Sequence, residues 1–232
     1  MSFQFKQFTI KQNNTAMKVG TDGVLLGAWS RIKEGNILDV GTGTGLIVLM
    51  LAQRTNNSLI DAVEIETEAF KQTVENINNS NWSNRITAFN SSIQNYSSNK
   101  QYDLIISNPP FFVDSTKAPK LERNTARHTD NLSFEDLIKS IKILLKDDGI
   151  FSLILPTKEA QKFINLAEKQ LLFLSRKCNV KPNPIKESKR VLMEFSFTKE
   201  KIIKEELTIE TETRHQYTKE YISLTQDFYL NF

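Results

Sequence analysis

Asn108-Pro109-Pro110-Phe111 follows directly on Tyr102 to Ile106, an apolar run that reads as a buried strand. Proline fixes φ and lacks a backbone donor, so a Pro-Pro pair belongs at a strand's exit and not in its middle. Placed there, the prolines hold the Pro109 carbonyl with little conformational freedom, next to the side-chain oxygen of Asn108. Two such acceptors can take the hydrogens of a planar exocyclic amine or amide and leave its lone pair aimed elsewhere. Phe111 offers a flat face on which a flipped ring can stack, and Phe112 extends that wall. The chemistry these types suit is group transfer to a planar nitrogen. Which nitrogen is not specified by the motif.

A second cluster lies earlier, in "DVGTGTG" from Asp39 to Gly45, between an apolar strand and an apolar helix. Gly41, Gly43 and Gly45 allow a tight turn and close approach to a ligand at the carboxyl edge of a sheet. The spacing is G-x-G-x-G, and Leu46 stands where a dinucleotide fingerprint would place its last glycine. Asp39 at the mouth of the loop would repel a pyrophosphate. A cationic ligand fits better, and S-adenosyl-L-methionine carries both an ammonium and a sulfonium. Glu64, at the end of the next strand, has the separation expected of an acid that accepts from both hydroxyls of a ribose. Ser91 and Ser92 follow the third strand, where a serine or a main-chain group can meet the adenine end of that ligand.

The elements that must carry these residues alternate along the chain. Strands are expected at 36–40, 59–65, 85–90, 102–107 and 149–156, and helices at 45–54, 67–80 and 133–146, which is the pattern of a doubly wound parallel sheet. Ahead of them, Phe3, Phe5, Phe8 and Ile10 suggest a hairpin, and Gly20 to Ser30 a short helix with Asp22 as its N-cap. Behind them, 172–182 and 190–197 read as an antiparallel hairpin on the sheet edge. The charge run Lys199 to Glu206 reads as solvated surface, and Tyr217 to Leu230 as a short helix with an apolar tail that docks on the body. The expected organisation is one domain over 1–232, an extension at 1–34 preceding a catalytic core at 35–232.

Composition narrows the classes. The chain has 232 residues, a net charge of +3, a single cysteine and two histidines. A disulfide framework and a cysteine- or histidine-based metal centre are therefore not expected, and no metal is invoked. Leu46 to Ala52 is too short an apolar run to span a bilayer, and the N-terminus has no signal-peptide core, so no membrane partner and a cytoplasmic location are expected. A monomer is the expected state. The mildly basic balance is compatible with a polyanionic partner.

Beyond these patterns the chain resembles the bacterial tRNA-valine adenine N6-methyltransferases. The resemblance is carried by "MKVGTDGVLLGAW" (17–29), "LDVGTGTGLIVLMLAQR" (38–54), "SNPPFF" (107–112), "NTARHTDNLSFEDL" (124–137) and "DFYL" (227–230). It implies a Rossmann-like class I methyltransferase: a mostly parallel, doubly wound, seven-stranded sheet with an antiparallel edge hairpin. It also implies methyl transfer to N6 of the adenine beside the anticodon, position 37, of a valine tRNA, with the anticodon stem-loop as partner. The cofactor site would comprise Asp39, Gly41, Gly43, Gly45, Glu64 and Ser92, and the catalytic site Asn108, Pro109, Pro110 and Phe111. The family usually has an acid where Ser92 stands. Phe112, Lys18, Arg123, Arg127 and His128 are candidates for holding tRNA phosphates or framing the target base. Release-factor glutamine N5-methyltransferases also hold an amide nitrogen with such a motif, but they carry a helical domain ahead of the glycine loop. Only 38 residues precede Asp39 here. Guanine N2 methylation of ribosomal RNA is the other alternative.

Overall fold

The computed structural model describes residues 1–13, 18–109 and 132–231. Its core is an eight-stranded sheet. The central strands are β3 (Asn36–Val40), β4 (Leu59–Glu64), β5 (Ile86–Asn90), β6 (Tyr102–Ser107) and β7 (Leu145–Pro156). They run parallel in the order β5-β4-β3-β6-β7. Beyond β7 the hairpin of β8 (Phe173–Lys181) and β9 (Arg190–Ser196) is laid in with β9 against β7. Since β9 is antiparallel to both neighbours, it alone among the eight points the other way.

Why these residues form a sheet shows in the alternation of their side chains. In β6, Leu104 and Ile106 face one apolar layer while Tyr102 and Ile105 face the other. The first layer is closed by α1 (Thr21–Trp29), α2 (Leu46–Arg54) and the N-terminal hairpin of β1 (Ser2–Gln4) and β2 (Thr9–Lys11). The second is closed by α4 (Phe134–Leu144) and α5 (Thr157–Lys169), whose Phe134 and Phe163 rings meet edge to face at 5.1 Å. α3 (Thr67–Asn78) covers β5 and β4. At the end of the chain, α6 (Lys219–Thr225) and the buried Phe228 dock on the first layer, and the Phe228 carbonyl accepts from the Lys6 N–H.

Four details differ from the sequence reading. The run 199–206 is not wholly solvated surface, because β10 (Ile203–Thr208) pairs parallel with β8 and becomes the sheet's edge. Its charges are placed by β8: Glu205 bonds Arg176, and Glu206 bonds Lys181. The hairpin is therefore one strand in from the edge, and the sheet has eight strands. α5 has no counterpart in the sequence reading, although Ala160, Phe163 and Ala167 bury one helical face. The helix expected to reach Lys146 stops at Leu144, since Leu145 pairs with Tyr102 in β6 and Lys146 Nζ donates to both Asp103 oxygens, at 2.8 and 2.9 Å. Finally, Gly20 and not Asp22 is the N-cap of α1. Asp22 lies in the first turn and is held by Arg190 Nε at 2.8 Å.

Candidate functional site

Parallel strands in register end together, and their ends bring the motifs into one row. Ser92 follows β5, Glu64 ends β4, the glycine loop follows β3, and Asn108 follows β6. The row is tied by specific bonds. Gly41 and Thr42 N–H donate to the Val63 carbonyl at 2.8 and 3.2 Å, and Ser107 Oγ donates to the Val40 carbonyl at 2.9 Å.

Gly41 and Gly43 have φ of +73° and +60°, a region that side chains other than glycine's enter only with strain. A β-carbon on either would meet nothing within 4 Å. The loop is thus shaped by its dihedrals and leaves open space on its outer side. Sequence reasoning missed what grips the loop from behind. On α3, the Thr73 hydroxyl donates to the Gly43 carbonyl at 2.7 Å, and Asn76 Nδ2 donates to the Thr44 carbonyl at 2.8 Å. The available signal was a cluster of polar residues, Gln72, Thr73 and Asn76, on a helix face that is buried.

Glu64 is buried and its two oxygens point different ways. Oε2 accepts from the Gly43 N–H at 2.8 Å, and Oε1 from the Glu66 N–H at 2.9 Å. Each oxygen keeps a further lone pair for a hydroxyl donor. Asp39 is fully buried one residue before the end of β3. Among the described residues neither of its oxygens has a hydrogen-bond partner, and the same holds for Thr42 Oγ1 and Asn108 Oδ1. Burial pushes the Asp39 carboxyl up to about 7; the neighbouring Thr42 hydroxyl opposes this and the charge of Glu64 adds to it. Buried polar atoms are rarely left unsatisfied; besides these only Gln53 Oε1 is so among the described residues, and of the set Thr42 and Asn108 line one cleft.

That cleft, of about 290 Å³, lies between the glycine loop, Asn108 and the start of α1. A methyl placed on Gly23 would lie 3.0 Å from Leu46 Cδ2 and 4.0 Å from Asn108 Nδ2, so α1 closes directly over the motif. Gly20, Thr21 and Asp22 line the cleft too, and sequence reasoning had not assigned them there. Lys18 is exposed at its rim. Ser92 stands at the far end of the row, with its hydroxyl accepting from the Asn95 N–H at 3.3 Å. Pro109 is buried behind Asn108. Pro110, Phe111, Phe112, Arg123, Arg127 and His128 lie outside the described residues. Among the described residues no group of acids, histidines and cysteines is arranged to hold a metal, and no helix is long and apolar enough to cross a membrane.

A sulfonium cofactor fits these residues. The partnerless carboxylate of Asp39 suits a cation, Glu64 suits a diol, and the floor over Gly41 and Gly43 is open where a side chain would fill it.

Fold and site together define a Rossmann-like methyltransferase, and residues 14–169 match the family model described as the methyltransferase small domain. A predicted O-methyltransferase from Agrobacterium tumefaciens shares the fold, with a TM-score of 0.70 at 16% identity over 89% of this chain and 96% of that one. A glycopeptide N-methyltransferase solved with S-adenosyl-L-methionine gives a TM-score of 0.56 at 11% identity, over 75% of this chain and 94% of that one. Sequence relatives are nearer. The tRNA1(Val) (adenine(37)-N6)-methyltransferase of Flavobacterium psychrophilum is 47% identical over 232 residues, covering 98% of this chain and 99% of that protein. The Trichodesmium erythraeum protein of the same name is 50% identical over 235 residues, covering 99% and 98%. The chain belongs to the tRNA1(Val) (adenine(37)-N6)-methyltransferase family.

Proposed function

We infer that this chain methylates N6 of adenine 37 in tRNA1(Val), with S-adenosyl-L-methionine as methyl donor. The observation that carries the reading is the buried, partnerless Oδ1 of Asn108 beside a cleft that also holds the glycine loop. Near-full-length identity of about 47% to relatives of that name supports the substrate.

Asp39 receives the cofactor's cationic end and Glu64 its ribose, while Ser92 stands toward its adenine. Bound there, S-adenosyl-L-methionine supplies a sulfonium methyl that an amine nitrogen can attack in line, its proton leaving afterwards to water. The chain's part is to aim that nitrogen. Asn108 Oδ1 and the Pro109 carbonyl each accept one amine hydrogen, which directs the lone pair toward the cleft. Because Oδ1 has no competing partner among the described residues, no existing hydrogen bond must break for it to do so. Phe111, in the motif's fourth position, supplies the stacking face, and Phe112, Lys18, Arg123, Arg127 and His128 contact the RNA around it.

The test is to incubate the protein with labelled cofactor and either unmodified tRNA1(Val) or a peptide-chain release factor. Label in N6-methyladenosine from the tRNA is expected. Label on the release factor alone, or in N2-methylguanosine, would overturn the reading.

A further inference from the structure

A larger cleft, of about 630 Å³, lies next to the first and opens on the same edge of the sheet. Thr21, in the first turn of α1, lines both. The walls are aromatic: Phe3 from β1, Tyr217 and Tyr221 around the start of α6, and Tyr229 from the C-terminal tail. Tyr217 and Tyr221 are stacked with centroids 5.2 Å apart, and Phe3 meets Tyr229 edge to face at 6.2 Å. Tyr221 is buried, whereas Phe3, Tyr217 and Tyr229 keep part of their surface exposed to the cleft.

Besides the tyrosine hydroxyls, the polar groups in these walls are Gln4, Thr21, Asn231 and Glu210, whose Oε1 accepts from the His215 N–H at 3.1 Å and whose Oε2 remains for a ligand. No lysine or arginine is among the described lining residues, and the Glu210 carboxylate would repel a phosphate. Flat faces with an acid and amides at their margin suit a nucleobase: the rings stack on it, and the carboxylate accepts from its amino or imino hydrogens. Phosphate contacts are available just outside. The loop that leaves Pro182 exposes Lys186 and Lys189 with one acid, Glu187, between them. Arg190, the first residue of β9 where this loop ends, grips Asp22 beside Thr21 and so ties the end of the loop to the wall between the two clefts.

We propose that this aromatic cleft is a second base-binding pocket, which stacks an unpaired base of the tRNA loop next to the target adenine. The proposal rests on the RNA substrate inferred above. Flipping one adenine out of a stacked loop leaves its neighbour unstacked, and a pocket sharing a wall with the catalytic cleft is where that neighbour would be received. Substrate selection would then read two bases.

The experiment is ultraviolet crosslinking of the wild-type protein to anticodon stem-loop RNAs carrying 5-iodouridine at each unpaired loop position in turn, with the crosslinked peptides identified by mass spectrometry. Crosslinks to Phe3, Tyr217 or Tyr229 are expected from a position adjoining adenine 37. In parallel, Tyr217→Leu and Phe3→Leu should weaken stem-loop binding about tenfold while Tyr217→Phe, which keeps the aromatic face, binds as wild type. Cofactor affinity should stay unchanged in all three, which separates loss of a base-stacking face from loss of the fold even where the leucine variants lower the thermal midpoint. RNA that binds but crosslinks only outside these residues, or leucine variants that bind normally, would overturn the pocket and leave the methyltransferase reading standing, assigning the cleft to a protein segment. RNA that does not bind at all overturns both.

Discussion

Among the described residues two carboxylates are fully buried, Asp39 in β3 and Glu194 in β9, and they are treated oppositely. Glu194 accepts from the Arg31 backbone N–H at 2.7 Å, from Arg31 Nε at 2.5 Å, and from Arg176 at 3.4 Å. Arg176 in turn binds Glu205 and lies over the Trp29 ring, 4.0 Å from its centroid. Every charge there is answered, and the network anchors the far end of α1 to β9 and β8. Asp39 has no counter-charge among the described residues, only the hydroxyl of Thr42 nearby, and its oxygens, like Asn108 Oδ1, accept no hydrogen bond at ordinary distance. A charge buried for the fold brings its counter-charge with it. One buried for a ligand does not, and the protein tolerates the cost until the ligand arrives.

The comparison can be broken most sharply at Asn108. Asn108→Ala should reduce methyl transfer by about a thousandfold or more, with cofactor affinity little changed, in single-turnover assays on tRNA. Because its oxygen is partnerless, the folded protein should lose no stability. A drop in the denaturation midpoint would mean that Asn108 serves the fold.

Glu194→Ala should behave the other way round. It strands Arg31 and Arg176 around an empty site, and a loss of about 3 kcal/mol in denaturant unfolding is expected. The loss should be smaller for Glu194→Gln, which keeps one acceptor.

Asp39→Asn should weaken cofactor binding about tenfold, as read by calorimetry, yet leave the ligand-free protein at least as stable as wild type above pH 7. The sign follows from the raised carboxyl. Between its ordinary value of 3.8 and about 7, the unfolded chain releases this proton while the folded chain keeps it, so Asp39 makes stability fall as pH rises through that window. Above it the penalty is constant. The asparagine variant should lack this slope, and cofactor affinity in wild type should climb with pH up to about 7 as the carboxylate forms.

The smallest effect is expected from Gly43→Ala. No neighbour obstructs the new methyl, so its cost to folding is the left-handed strain alone, about 1 kcal/mol. Cofactor affinity should fall more than stability does, because the methyl occupies the open floor of the cleft.

Much of this was legible in the residues. The five central parallel strands announced themselves as apolar runs bounded by turn residues, and the site motifs sit where those strands end. The N-terminal hairpin was visible in alternating phenylalanines. What escaped reading depends on partners distant in sequence. β10 is a strand because β8 pairs with its backbone and Arg176 and Lys181 answer its acids, and 199–206 alone is only a charge run. Lys146 leaves its helix for Asp103, 43 residues away. Thr73 and Asn76 look like ordinary helix polars until the glycine loop is laid against them. Ser92 was located correctly at the end of β5, but not its bond to Asn95, which is a matter of local turn geometry.

The most direct measurement is nuclease mapping with mass spectrometry of an unmodified tRNA1(Val) transcript after reaction, beside a transcript with guanine in place of adenine 37. One N6-methyl group at position 37 of the first and none on the second is the expected result. Methylation at another nucleotide, or equal methylation of both transcripts, would contradict the account.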